Sequence, residues 1–315
     1  MSKHTWIAPS LACAIIASAC GDATPEPEPP ATVEQTCVQD GVTSGAFTLN
    51  FPDKRIWVFS ETVLNDGTLF LSNTATEATP CSSEFILGPP AFIPFFDDED
   101  PGATRIWPRG GYVRPDGVGV VYYDKIDFRG YFDFDVVGTG VAFVDADGTV
   151  DRPDALIWEG QGQGYGHGAF ADSDGNGYVF GCRNVDTFIQ RCRSARVPVG
   201  QEADPAAYAY FDGSAWSPSA DAAATVFDGT LAPTVRPHDG AYVALHPDLF
   251  SNDILIRTSD RPEGPWSSGI VLFTGVRPDQ FWVRDVVLHD DDLLTYFSAP
   301  TSGPRGLHNV RVEWK

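Results

Sequence analysis

Basic charge is scarce in this chain: 21 Lys and Arg stand against 43 Asp and Glu in 315 residues, for a formal charge of −22. A nucleic-acid binder needs a cationic footprint on the phosphate backbone, so that class is excluded. The same balance removes attraction to anionic headgroups through protein charge. Helical periodicity is also missing, apart from one short turn expected over residues 204–210, and that leaves an all-β class. There is no Gly-x-Ser-x-Gly elbow, no phosphate loop and no zinc-protease helix motif. None of the 6 cysteines has the spacing of a zinc site. After the first twenty residues no apolar stretch is long enough to span a bilayer.

What is present is turn chemistry and aromatic mass: 31 Gly, 25 Pro and 12% Phe, Trp and Tyr. Such a composition builds many short strands joined by tight turns. Residues 1–19 read as a secretory signal: Lys3, an apolar run from Trp6 to Ala17, then Ala17-Ser18-Ala19 before Cys20. Cleavage there leaves either a free Cys20 or, as in a bacterial lipobox, an acylated one. Thiol parity favours lipidation. Cys13 leaves with the signal, and an acylated Cys20 leaves Cys37, Cys81, Cys182 and Cys192 for two disulfides in an oxidising compartment. Of the three connectivities, Cys182–Cys192 as a local clasp and Cys37–Cys81 as an N-terminal staple is the expected one. Residues 20–35 are a Pro/Glu-rich tether unable to build a core. Residues 36–315 form the folded body, expected to act as a monomer held to the cell envelope by lipid alone.

The body repeats itself. Five segments share one form, a β-rich run, an acidic or glycine turn, and a second β-rich run. Their turns fall at Asp66-Gly67, Asp116-Gly117, Asn176-Gly177, Asp239-Gly240 and near Asp291. Asp-Gly and Asn-Gly are strong hairpin signals because type I′ turns need positive φ at both central residues. A turn-to-turn period of about 50–60 residues suits a four-stranded blade with its connections. The fold expected is a five-bladed β-propeller, with a β-sandwich as the alternative.

Four passages also resemble a known family. They are Ile56-Trp57-Val58-Phe59-Ser60-Glu61-Thr62, the interblade segment 196–218 with its Tyr210-Phe211-Asp212-Gly213 hairpin, the turn Ser259-Asp260-Arg261-Pro262-Glu263-Gly264-Pro265-Trp266, and Tyr165-Gly166-His167-Gly168. In this order they resemble the bacterial domain of unknown function 4185 family, five-bladed propellers related to glycoside hydrolase families 183 and 43. That resemblance implies a carbohydrate-active propeller, with its site in a central funnel and an extracellular, D-arabinan-like polysaccharide as substrate. Glu61 stands where that family has Asp, so its carboxylate reaches one methylene further.

Glycoside hydrolysis needs two carboxyl groups flanking the scissile bond, one of them protonated near neutral pH. In a propeller the innermost strands line the channel, so carboxylates on the first run of each repeat are the candidates. Glu61 on blade one and Asp285 on blade five lead. Asp124 follows a second strand, and Glu159 precedes a Gly-rich loop. An acidic chain keeps most carboxylates on solvated loops, which is the competing reading for each. Trp107, Arg109, Tyr165, His167 and Arg236 are the expected sugar-binding residues, aromatic faces for C–H surfaces and cationic or imidazole donors for hydroxyls. Interblade packing for Trp107 and a structural hydrogen bond for His167 are the competing readings. Gly166 and Gly168 suggest that something approaches the backbone closely.

Residues 172–177 begin like a calcium loop, but an EF-hand needs Glu at the twelfth position, where Arg183 stands. A polar hairpin turn is the expectation there. The acidic run 97–100 reads as a solvated loop, with calcium the outside possibility. No cofactor is expected.

Overall fold

A computed structural model describes residues 28–39, 44–63, 70–77, 81, 91–130, 133–160, 164–186, 189–229, 233–248, 251–276, 283–298 and 306–315. These residues form five antiparallel sheets. Blade one is Ser44–Asn50, Arg55–Val63 and Phe70–Thr76. Blade two begins with Thr104–Val113, Gly119–Gly130 and Asp133–Val144. Blade three begins with Tyr165–Ala171, Asn176–Asp186 and Ile189–Pro198. Blade four is Thr234–His238, Ala241–Pro247, Asp253–Ser259 and Ile270–Thr274. Blade five is Arg284–Leu288, Leu293–Ser298 and Gly306–Trp314, completed by the N-terminal strand Ala31–Gln39.

The first strand of each blade packs against the first strand of the next, and the fifth returns to the first, so five inner strands surround one axis. The fold is the expected five-bladed propeller rather than a sandwich. The ring closes because Ala31–Gln39 pairs along Gly306–Trp314, which ties the two ends of the body into one sheet. Strand pairing thus begins at Ala31, inside the stretch that composition assigned to the tether.

Each sheet is apolar on both faces because it has a neighbour on both. In blade two, Val120 and Tyr122 point into the core shared with blade three. Val121 and Tyr123 point into the core shared with blade one. The alternation is the two-residue period of a strand, so a continuous apolar run serves two interfaces. Further clusters fill the junctions of blades three and four around Phe180 and Phe227, and of blades four and five around Leu245 and Tyr296. Trp57, Phe59 and Leu307 fill the junction of blades five and one. Each fully buried side chain of this size contributes about 1.5–3 kcal/mol.

Both expected disulfides are present. Cys182–Cys192 bridges paired positions of neighbouring strands in blade three. Cys37–Cys81 ties the closing strand to the chain that follows blade one. The short turn near residue 204 is a 3-10 turn, Pro205–Ala207, capped by the Asp204 carboxylate accepting from the Ala206 N–H.

The hairpin turns explain where strand order departs from the repeat. In blades two, four and five the marked turn joins the inner strand to the second strand; in blade three that turn is residues 172–175, and Asn176-Gly177 already pairs within the second strand. In blade one the corresponding turn is Pro52-Asp53, closed by the Phe51 N–H donating to the Lys54 carbonyl. It carries no glycine, whereas Asp66-Gly67 lies between the second and third strands and outside the described residues. The repeat read from the Gly-marked turns was therefore one strand out of phase in blade one.

Candidate functional site

All five inner strands run the same way around the axis, and contacts between them set a common level. A Cβ placed on Gly110 would lie 2.7 Å from the Gly166 carbonyl oxygen, and one on Gly168 2.8 Å from the Pro233 carbonyl. Thr234 Oγ1 donates to the Val286 carbonyl at 2.8 Å. Arg109, His167 and Asp285 therefore stand at about one level, on the inner strands of blades two, three and five. The close approach that Gly166 and Gly168 signalled is the approach of neighbouring inner strands, which only glycine permits here.

At this level the strand pairing breaks in all three blades. Register shifts fall between Pro108 and Gly110, on both sides of His167, and between Arg284 and Val287. Asp285 adopts φ +54°, Gly166 +118° and Gly168 +54°. A bulge leaves a residue unpaired and re-aims its side chain, and bulges gather next to active sites. A non-glycine residue held at positive φ is strained, and such strain concentrates at functional positions. Blade four shows no such break at Arg236, which pairs regularly with Val243.

Arg109 is the best-anchored side chain of the group. Its Nε and Nη2 donate to Asp124 Oδ2, both at 2.7 Å, and Thr139 Oγ1 donates to Asp124 Oδ1 at 2.8 Å. The guanidinium stands 5.4 Å above the Trp107 ring, within cation–π range. Asp124 is buried on the second strand of blade two. Three hydrogen bonds from Arg109 and Thr139 engage both of its oxygens, so this carboxylate, a catalytic candidate from the sequence, anchors Arg109 in the structure.

His167 retains some solvent access, yet burial followed by the Arg109 charge lowers its pKa to about 3. The ring is thus desolvated on most sides while part of it still meets solvent. Its Nδ1 has no hydrogen-bond partner among the described residues. A neutral imidazole there can donate to or accept from a hydroxyl, but it does not titrate near neutral pH.

Several expected positions fall elsewhere. Glu61 pairs with Ser44 and Ser72, so it lies on the second strand of blade one, not on the inner one. Because that strand runs antiparallel to its inner neighbour, Glu61 ends at the face of the propeller where the inner strands begin. Tyr165 is fully buried, stacked on Trp158 at 4.8 Å, and its desolvated hydroxyl is pushed up in pKa. It belongs to the core between blades two and three and is unavailable to a sugar. Arg236 lies further along the axis, where Nη2 pairs with Asp290 at 2.9 Å and its charge acts on His289. It does not join Arg109 and His167. Trp107 is 8% exposed and mostly packed, with its edge contact on Phe134. Glu159 is exposed, beside Gly138 on the third strand of blade two. Cys20 lies outside the described residues.

The acidic segments are structural. In the 172–177 turn, Asp172 accepts from the Ser173 N–H and the Tyr242 hydroxyl, and Asp174 accepts from Asn176 and the Tyr178 hydroxyl. Its carboxylates are spent as turn caps. Glu99, read as part of a solvated loop, is instead buried against Arg152 and Lys125. Its pKa is about 2: burial alone would raise it, and hydrogen bonds from Arg152, Lys125 and the Phe96 N–H outweigh that.

Sequence reasoning missed the bulges. The glycines around His167 were the visible part of that signal; the breaks at Arg109 and Asp285 have no comparable mark.

Solved structures share this architecture at low identity. A protein from Bacteroides ovatus ATCC 8483, described as a "putative hydrolase", is 16% identical, with a TM-score of 0.63 over 88% of this chain and 87% of that one. A GH43_1 enzyme from Xanthomonas citri complexed with xylose is 17% identical, TM-score 0.55, over 89% and 90%. A thermostable family-43 glycoside hydrolase is 12% identical, TM-score 0.55, over 88% and 92%. At these identities the likeness is one of fold. No curated protein matches the chain. The family profile that matches covers residues 88–296 and differs from the family that the blade passages resemble: the chain belongs to the family Domain of unknown function (DUF5005).

Proposed function

We propose that this chain is a carbohydrate-active propeller that binds an oligosaccharide in the axial pit and hydrolyses it as a glycosidase. The observation carrying this reading is the coincidence of three strand breaks, at Arg109, His167 and Asp285, on one level of the axis. Arg109, fixed by Asp124, and the neutral His167 supply hydrogen bonds to hydroxyls. Asp285 supplies one carboxyl group, and Glu61, at the same face of the propeller, supplies the second. One protonates the leaving oxygen and the other acts as base or nucleophile; the separation they adopt sets inversion or retention. The xylose and xylotriose bound by the Xanthomonas citri enzyme make neutral oligosaccharides the first ligands to test.

A second reading, a glycan-binding propeller without turnover, is favoured by one observation. Asp285 is the single carboxylate on the five described inner strands.

The test is a screen of residues 28–315 against xylan, arabinan, galactan and mannan fragments, reading new reducing ends and binding by calorimetry. Asp285→Asn is the informative variant, because Asn also tolerates positive φ and so keeps the backbone. Cleavage by the wild type, with at least a hundredfold loss in the variant, supports hydrolysis. Binding without products supports the second reading, and no binding to any fragment overturns both.

We also propose export and acylation of Cys20. The two disulfides support an oxidising compartment. Mass spectrometry of the N-terminal peptide from native membranes tests it: a peptide carrying no acyl group refutes the anchor.

A further inference from the structure

The strands Gly119–Gly130 and Asp133–Val144 of blade two pair with each other from Gly119↔Val144 out to Gly130↔Asp133. The inner strand beside them starts at Thr104, opposite Asp127. The hairpin beyond Asp127 therefore projects past the inner strand, at the end of the axis where Trp107, Arg109 and Asp285 lie.

A hairpin that projects into water is expected to be polar, yet residues 128–135 mix three charged residues with four aromatic ones. Arg129 pairs with Asp127, Asp133 and Asp135 at 2.6, 2.9 and 2.7 Å. Against that background Phe134 is 37% exposed and Val137 40% exposed, two of the four large apolar side chains exposed among the described residues. Val137 owes its position to the register shift between Val136 and Gly138. Phe134 is held rather than loose: its ring meets Trp107 edge to face, with centroids 5.0 Å apart and planes at 73°. Trp107 in turn lies under the Arg109 guanidinium at 5.4 Å. A chain of contacts thus leads from the pit, through Trp107, to an aromatic face left in water.

Apolar surface left in water is unfavourable, and a ring fixed beside the candidate site offers a ligand that surface to cover. A sugar offers the matching chemistry, a C–H face that covers the ring and hydroxyls that meet the surrounding aspartates. We infer that Phe134 is the platform for a second sugar ring, next to the one held at Arg109 and His167, so that the site is built for an oligosaccharide rather than a monosaccharide. This rests on the saccharide site proposed above and adds its extent and direction, outward between blades two and three.

The experiment is calorimetric titration of the wild type, Phe134→Ala, Phe134→Leu and Phe134→Tyr with monosaccharide and trisaccharide pairs: xylose and xylotriose, arabinose and arabinotriose, galactose and galactotriose. For the trisaccharide that the wild type binds, Phe134→Ala and Phe134→Leu are expected to weaken affinity about tenfold, or about 1.4 kcal/mol. Phe134→Tyr should restore it, and monosaccharide affinity should stay unchanged throughout. Phe134→Leu, which keeps apolar bulk without an aromatic face, controls for a folding defect. Equal trisaccharide affinity in all four proteins overturns the platform while leaving the axial site intact. So does an equal loss on monosaccharide and trisaccharide. A wild type that binds none of the six sugars overturns the platform and the saccharide site together.

Discussion

Replacing Glu99 by Gln removes the charge from a buried group that joins the segment between blades one and two to the outer part of blade two. Glu99 accepts from Arg152 Nη1 at 2.6 Å and Nη2 at 3.0 Å, from Lys125 Nζ at 2.6 Å and from the Phe96 N–H at 3.0 Å. The side chains of Glu99 and Arg152 are 4% and 1% exposed, so solvent screens the pair little. Against burial, these partners lower the Glu99 pKa from 4.5 to about 2. At 1.36 kcal/mol per pH unit, the preference for the charged form is worth about 3 kcal/mol. A depressed carboxyl pKa contributes stability that is complete above pH 4.5 and is lost as pH falls toward 2. Glu99→Gln should therefore cost at least about 3 kcal/mol at pH 7, since it also leaves the buried Arg152 charge poorly compensated. The gap between wild type and variant should close on acidification, because protonated Glu99 resembles Gln. Urea unfolding at pH 7, 5, 4 and 3, analysed by linear extrapolation, measures it. A gap below about 1 kcal/mol at pH 7, or one that stays constant down to pH 3, refutes the reasoning.

Two further outcomes are expected. His167, His246 and His289 have pKa values lowered to about 3, 4 and 3, each chiefly by burial. The unfolded chain binds these protons first, so stability should fall below pH 6.5 by about 1.4 kcal/mol per pH unit for each ring; an NMR signal of any of these three rings that titrates between pH 5 and 8 in the folded protein would contradict this. The disulfides close loops of 44 and 10 residues. On chain entropy the Cys37→Ser/Cys81→Ser variant should lose about 4 kcal/mol and the Cys182→Ser/Cys192→Ser variant about 3; thermal unfolding in which the short clasp costs more would refute the entropic account.

The candidate site was legible in part. His167 was marked by flanking glycines and Arg109 by a Trp-Pro-Arg-Gly-Gly passage, and both stand on neighbouring inner strands at one level. Glu61 was placed one strand too far inward because Pro52-Asp53, a turn without glycine, hid the inner strand of blade one. Tyr165 carried the same Gly-rich signal as His167, two residues away. Alternation would put residues two apart on one face; the register shift between Tyr165 and His167 breaks it, so Tyr165 enters the core and the imidazole is left beside the axis. Phe134 had no signal at all, because one aromatic residue in a chain with 21 Phe looks like core until its exposure is known.

Composition and period alone determined the class and the number of blades, and cysteine parity the number of disulfides, while the pairing was fixed by the structure. Turn residues, two-residue alternation and cysteine parity are local properties, written wherever they act. Which strand of a blade faces the axis, which residues share a level and which carboxylate already holds an arginine were decided only by strand pairing and ring closure. Those relations join residues on different strands and different blades, 15 positions apart for Arg109 and Asp124 and far more around the ring, and no local pattern records such a neighbour.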